Sequence, residues 1–222
     1  MIAEILRKII SNLAASNLQC QGGKLTPQQR KGIVDAHNSF RSSLINGSEQ
    51  NRDNETMPRG KNMLKLTWDC NLEKSAQQWA DNCRFKHSPR QYRQNAGENL
   101  YMYSSKVDVS NKVDTIGVQA SNSWWSELPK FYHNNPSNIM TEKVFNQRVG
   151  HFTQMAWGAT YKIGCGIAAH CESKRLIIVV CQYKVSGNMI DSKIYEIGDP
   201  CKKDSDCDTK KCSAADGLCI KE

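Results

Sequence analysis

Ten cysteines in 222 residues constrain this chain more than any other feature of it. An even set of that size is expected to close into disulfides, which persist in oxidising compartments. Two glycosylation sequons, at Asn46 (Asn46-Gly47-Ser48) and Asn54 (Asn54-Glu55-Thr56), agree. Short motifs of that kind arise easily by chance, so the cysteines carry the inference. The expected localisation is secreted and extracellular. With ten cysteines available for five pairs, no thiol is expected to serve as a nucleophile. No Cys-x-x-Cys occurs, which argues against a zinc ribbon.

Length allows one sizeable domain with a small appendage. A mean hydropathy of −0.62 and the lack of any apolar run near the ~20 residues of a span exclude a transmembrane helical bundle, and the chain is not expected to be an integral membrane protein. A charged fraction of 23% excludes wholesale disorder. The net charge is +8, and nucleic acid is not an expected partner for a secreted chain.

Three segments are expected: an N-terminal extension at 1–24, a body at 25–197 and a cysteine-rich tail at 198–222. Within the extension, Ile2, Ile5, Leu6, Ile9 and Leu13 follow helical spacing, while Glu4, Arg7 and Lys8 interrupt any signal core. It reads as a replacement for a natural signal, or an atypical one, in preference to a membrane-surface helix. In the body, Thr26 and Pro27 open a helix with Ile33, His37, Phe40 and Leu44 on one face, and Asn46-Gly47 ends it. A second helix is expected over 69–83, with Leu72, Ala76, Trp79, Ala80 and Cys83 inward. The stretch 84–93 is basic and irregular. A strand is expected to start just after Glu98, a third helix to run from Val113 to Leu128 closed by Pro129, and a helical stretch to cover 144–157. Gly164–Ala169 and Leu176–Tyr183 read as strands, the second buried on both faces. The tail has almost no large apolar residue, so its disulfides alone are expected to hold it.

Chemistry is less legible. His37 lies in an apolar stripe and His151 beside apolar positions; from pattern alone a hydrogen-bonded core histidine is preferred to a ligand at each. Glu98 and Glu127, taken singly, read as surface carboxylates. Neither a His-Glu-x-x-His helix nor a Gly-x-Ser-x-Gly elbow is present. Gly164-Cys165-Gly166 imitates a dinucleotide fingerprint but has no following helix and parallel strand. Asp204, Asp206 and Asp208 imitate a calcium loop, yet Thr209 and Ala215 stand where glycine and glutamate belong. The cations Arg84, Lys86, Arg90 and Arg93 read as a solvated loop, or as a contact for a sulfated glycan.

Longer stretches carry more. Gly150–Trp157 (GHFTQMAW) and Val179–Asn188 (VVCQYKVSGN) resemble the two signatures of the CAP superfamily of cysteine-rich secretory, antigen 5 and pathogenesis-related proteins. HNSFR at His37, FKHS at Phe85, GENLY at Gly97 and GCGIAA at Gly164 fall in the family's order, over roughly Leu25 to Tyr195. Val185 stands where the second signature has proline. The tail is similar to that of secreted venom-allergen-like proteins of parasitic nematodes.

The resemblance implies an α+β fold, a three-layer α–β–α sandwich around a three-stranded antiparallel sheet. It implies a cleft tetrad at His37, Glu98, Glu127 and His151, with weak Zn²⁺ binding by the two histidines and the glutamates orienting them. It implies disulfides Cys165–Cys181 and Cys83–Cys171, which leaves Cys20–Cys70 in the body; the tail is expected to pair internally, Cys201–Cys212 and Cys207–Cys219. It also implies a non-enzymatic effector that binds a host protein or cell-surface receptor. An extracellular sterol or fatty-acid carrier is the alternative, and a metal-dependent hydrolase the remote one. The loop 129–143, with Phe131 and Tyr132, is the expected lipid or partner contact.

Overall fold

Thr26 starts the first helix as a full capping box: its hydroxyl accepts from the Gln29 amide, and the Gln29 side chain accepts from the Thr26 amide. The computed structural model describes residues 18–221, so the amphipathic pattern at 1–16 lies outside the described residues. In chain order the elements are α1 (Pro27–Ile45), β1 (Gly60–Lys61), β2 (Thr67–Trp68), α2 (Cys70–Ala80), β3 (Gly97–Ser104), α3 (Val113–Trp125), α4 (Glu127–Phe131), β4 (Ile139–Met140), α5 (Glu142–Phe145), α6 (Gly150–Met155), β5 (Lys162–His170), β6 (Leu176–Lys184), β7 (Ser192–Lys193), β8 (Glu196–Ile197), β9 (Cys212–Ser213) and β10 (Leu218–Cys219).

The central sheet has the order β2-β5-β6-β3. Its three long strands are antiparallel, and the two-residue β2 adds a parallel edge to the three strands expected. β6 explains the layering. Ile177, Val179, Cys181 and Tyr183 enter the main core with α1, α3 and α6, whereas Ile178 and Val180 face Ala76 and Ala80 of α2. A strand covered on both faces needs no polar alternation, hence its unbroken apolar run. The cysteines pair as Cys20–Cys70, Cys83–Cys171, Cys165–Cys181, Cys201–Cys212 and Cys207–Cys219.

α2 lies against β5 at main-chain contact. A Cβ on Gly164 would sit 2.2 Å from the Glu73 nitrogen, and one on Gly166 would sit 2.3 Å from the Gln77 Cα. These glycines, which imitate a nucleotide fingerprint in the sequence, are there for close backbone approach. Gln77 completes the joint by bonding both main-chain groups of Ile167, at 2.9 and 3.0 Å.

Several expected boundaries move. β3 starts at Gly97, so Glu98 is inside the strand and opposite Gln182. α2 buries Glu73 and Gln77 along with its alanines, while Leu72 and Trp79 are only half-buried. Glu73 is inside because the buried Arg30 of α1 grips it at 2.6 and 2.7 Å, with the Trp68 indole donating at 2.7 Å. Pro129 does not close α3, which ends at Trp125 with Ser126 as its cap; it sits in the first turn of α4, where a missing N–H costs nothing. The stretch 144–157 is two short helices, α5 and α6. The turn after β6 is fixed without the family's proline, by Thr160 donating to the Val185 carbonyl and the Gly187 amide donating to Gln154.

The tail is held by more than its disulfides. Leu218 is fully buried in the main core. The Cys219 amide donates to Met63 O at 2.8 Å, its carbonyl accepts from the Lys65 amide at 2.7 Å, and Lys65 pairs with Asp216.

Arg41 binds the body together. It is fully buried on α1 and donates to five carbonyls, those of Leu64, Met155, Trp157, Gly158 and Thr160, at 2.6–3.2 Å. Burial lowers its pKa to about 9, which leaves it charged at neutral pH. Arg41→Met leaves those carbonyls without a donor and is expected to cost ~3–5 kcal/mol, read as a fall in Tm by circular dichroism. Gly166→Ala is expected to cost ~1–3 kcal/mol by the same measurement, because the helix backbone cannot yield to the methyl group.

Candidate functional site

A cleft of about 430 Å³ opens where β3, the turn before it and the start of α6 meet. His87, Glu98, Glu127 and His151 all line it, together with Asn99 and Arg148. His37 does not. The expected tetrad is therefore corrected at one position: the cleft's second imidazole is His87, from the FKHS stretch.

Two carboxylates hold the two imidazoles in the same way. Glu98 Oε1 meets His87 Nδ1 at 3.0 Å and accepts from the Ser88 amide at 2.8 Å. Its Oε2 accepts from the Ser88 hydroxyl at 2.6 Å and from Gln182 Nε2 at 3.1 Å. Glu127 Oε1 meets His151 Nδ1 at 2.6 Å, and its Oε2 accepts from the His151 and Phe152 amides at 3.0 Å each. An ionised carboxylate can only accept, so each Nδ1 carries a proton. In the neutral ring Nε2 then keeps the lone pair, the arrangement that carboxylate–histidine pairs give to metal-binding imidazoles. Burial works to raise the Glu98 pKa, but the hydrogen bonds from His87, Ser88 and Gln182 outweigh it and hold the carboxyl below the usual range.

His37 has no lone pair to offer. Its Nδ1 lies 2.8 Å from the Ile33 carbonyl, which can only accept, so Nδ1 carries the proton. Its Nε2 accepts from the Tyr183 hydroxyl at 3.0 Å. The ring is fully buried behind Tyr183 and Trp124. The Tyr183 hydroxyl in turn accepts from Asn99 Nδ2 at 3.3 Å, and the same amide donates to the His151 carbonyl at 3.1 Å. His37 thus braces the floor of the cleft from behind.

In the expected aromatic loop the two rings part company. Tyr132 is buried against Phe152, its hydroxyl accepts from Asn135 at 3.0 Å, and burial pushes its pKa up to about 12. Of that pair only Phe131 is exposed. Asn46 and Asn54 are both exposed. Arg84, Lys86 and Arg90 are exposed and form no ion pair among the described residues, while Arg93 lies 3.6 Å from Glu98. Outside the cleft, two groupings have donor atoms close enough to share an ion, Cys83/His170/Cys171 and Cys201/Cys207/Cys212. Each contains disulfide-bonded sulfurs, which are not thiolate donors.

Residues 34–183 match the model of the cysteine-rich secretory protein family, CAP. The chain is 37% identical over 208 residues to Ancylostoma secreted protein of Ancylostoma caninum, covering 92% of this chain and 47% of that one. It spans about half the length of the first curated relatives it matches. Among solved structures, BmVAL-1 is 58% identical with a TM-score of 0.91, covering 92% of this chain and 99% of that one. NaASP2, solved with Zn²⁺, is 35% identical with a TM-score of 0.79, covering 90% of this chain and all of that one.

Burial sets the pH response of the site's floor. It lowers the His37 pKa from 6.5 to about 4. The unfolded chain therefore takes up this proton at higher pH than the native protein does, and acid favours unfolding between those values. Stability is full above about pH 6.5 and is lost as pH falls towards 4, by ~2–3 kcal/mol at pH 4.5 from this group. Urea unfolding at pH 7 and pH 4.5 is expected to show a smaller acid loss in His37→Gln by about that amount.

Proposed function

The chain belongs to the cysteine-rich secretory protein family, and from that premise we propose an extracellular binding protein whose cleft holds a divalent cation, zinc foremost, on His87 and His151. One observation carries this reading: two imidazoles face one cleft, each with Nδ1 held by a carboxylate and Nε2 left to donate. Imidazole nitrogen suits zinc, and the crystal structure of the relative NaASP2 is one with Zn²⁺. Two protein ligands are fewer than a structural site uses, so the binding is modest and reversible, with positions left for water or a partner's donor group.

Binding is favoured over catalysis by how the carboxylates are used. Glu98 accepts four hydrogen bonds, from His87, the Ser88 amide and hydroxyl and the Gln182 side chain, and Glu127 three, from the His151 ring and the His151 and Phe152 amides. A hydrolase built on a metal-activated water needs a carboxylate free to take a proton, and both are engaged. The lining also offers no hydroxyl or thiol. The partner this reading assigns is a host protein or cell-surface receptor, in keeping with the likeness to hookworm secreted protein. Exposed Phe131 supports the alternative of a sterol or fatty acid. The five disulfides and the absence, among the described residues, of a helix long and apolar enough to cross a membrane agree with work outside the cell.

Calorimetric zinc titration tests the site. His87→Ala and His151→Ala are each expected to weaken binding by at least ~10-fold. His37→Gln is expected to leave it unchanged, and binding should fade as acid protonates the ring nitrogens. Undiminished affinity in the His87→Ala, His151→Ala double variant would overturn the assignment.

A further inference from the structure

A second hollow, of about 580 Å³, lies between α2, the segment 92–96 and the end of β6. It is linked to the cleft through the Gln182–Glu98 hydrogen bond. Its lining contains Lys74, Arg93 and Lys184 and no acidic residue. Neither lysine forms an ion pair among the described residues. Ser75 and Gln182 also line it, and Ser75 Oγ and Gln182 Oε1 are buried without a hydrogen-bond partner. These are two of the three such atoms among the described residues, and they fall in one hollow. A buried acceptor without a donor costs free energy until something supplies one.

We propose that this hollow is a subsite for an acidic oligosaccharide. The orphan Gln182 acceptor calls for an O–H or N–H donor, and the unpaired lysines of the same hollow call for anionic groups. A sulfated or uronic sugar carries both on one ring. The half-buried Ser75 offers a further hydroxyl contact, and the Tyr92 ring, 42% exposed, forms one wall. The hollow opens beside the segment 84–93, whose Arg84, Lys86 and Arg90 extend the positive surface along which the rest of a polyanionic chain can run.

The probes are a sulfated heparin-derived hexasaccharide, its desulfated counterpart and a single-stranded DNA hexamer, titrated into the full chain. The sulfated sugar is expected to bind, more weakly as salt is raised. In ¹⁵N spectra it should move the side-chain amide of Gln182 and the backbone amides of Ser75 and Ser186. Lys74→Ala with Lys184→Ala is expected to weaken it at least ~10-fold, as the loss of two charge-assisted contacts requires. Zinc affinity unchanged in that variant assigns the loss to the hollow and leaves the cleft reading to its own test. If zinc affinity falls as well, the spectra of the unaltered protein decide. Shifts confined to 84–90, or equal binding of the DNA hexamer, would overturn the proposal, since either means that loop charge alone attracts the probe.

Discussion

A guanidinium with no carboxylate partner among the described residues organises the body of this protein. Arg41 offers its fork of donors to five carbonyls that come from two distant stretches, one before β2 and one running from the last residue of α6 towards β5. Those stretches are irregular, and irregular backbone inside a protein has no ladder to satisfy it. The arginine takes the place of the ladder. It fixes where β2 begins and where α6 ends, and α6 carries His151. A lysine has three donors on a flexible stem and could not meet the same set.

From that frame the cleft follows by short steps. Glu127 sits at the head of α4 and accepts from the first amides of α6, so it fixes the helix and its histidine together. Glu98 is on β3 and holds His87 from a turn with no regular structure of its own. One imidazole is thus carried on a helix and the other on a turn, and each depends on a carboxylate from a neighbouring element. The route from His37 through Tyr183 and Asn99 to the His151 carbonyl ties the floor to α1.

The layers were legible because apolar periodicity reports burial. The run LIIVVC reads as a strand covered on both faces, and it is one. Periodicity failed where polar residues are buried: Arg30, Asn38 and Arg41 on α1, and Glu73 and Gln77 on α2, have partners far away in sequence. The cleft position expected of His37 came from the resemblance, and its burial corrects it. His37 stands out on an apolar stripe because it is core, whereas His87 lies in a polar turn between an exposed lysine and a buried serine, with nothing periodic to mark it. The FKHS stretch was the available signal, and only the fold shows that it meets Glu98.

Leu218 sits in the main core although it belongs to the tail. A ribosome makes the chain from the other end, so every helix and all three long strands emerge before this side chain does. Until it arrives, the core around it has an open wall. Vectorial synthesis therefore delivers a body that stays incomplete while its early cysteines are already exposed to oxidation. Closure waits for a residue that a division of the chain at Gly198 would assign to the appendage.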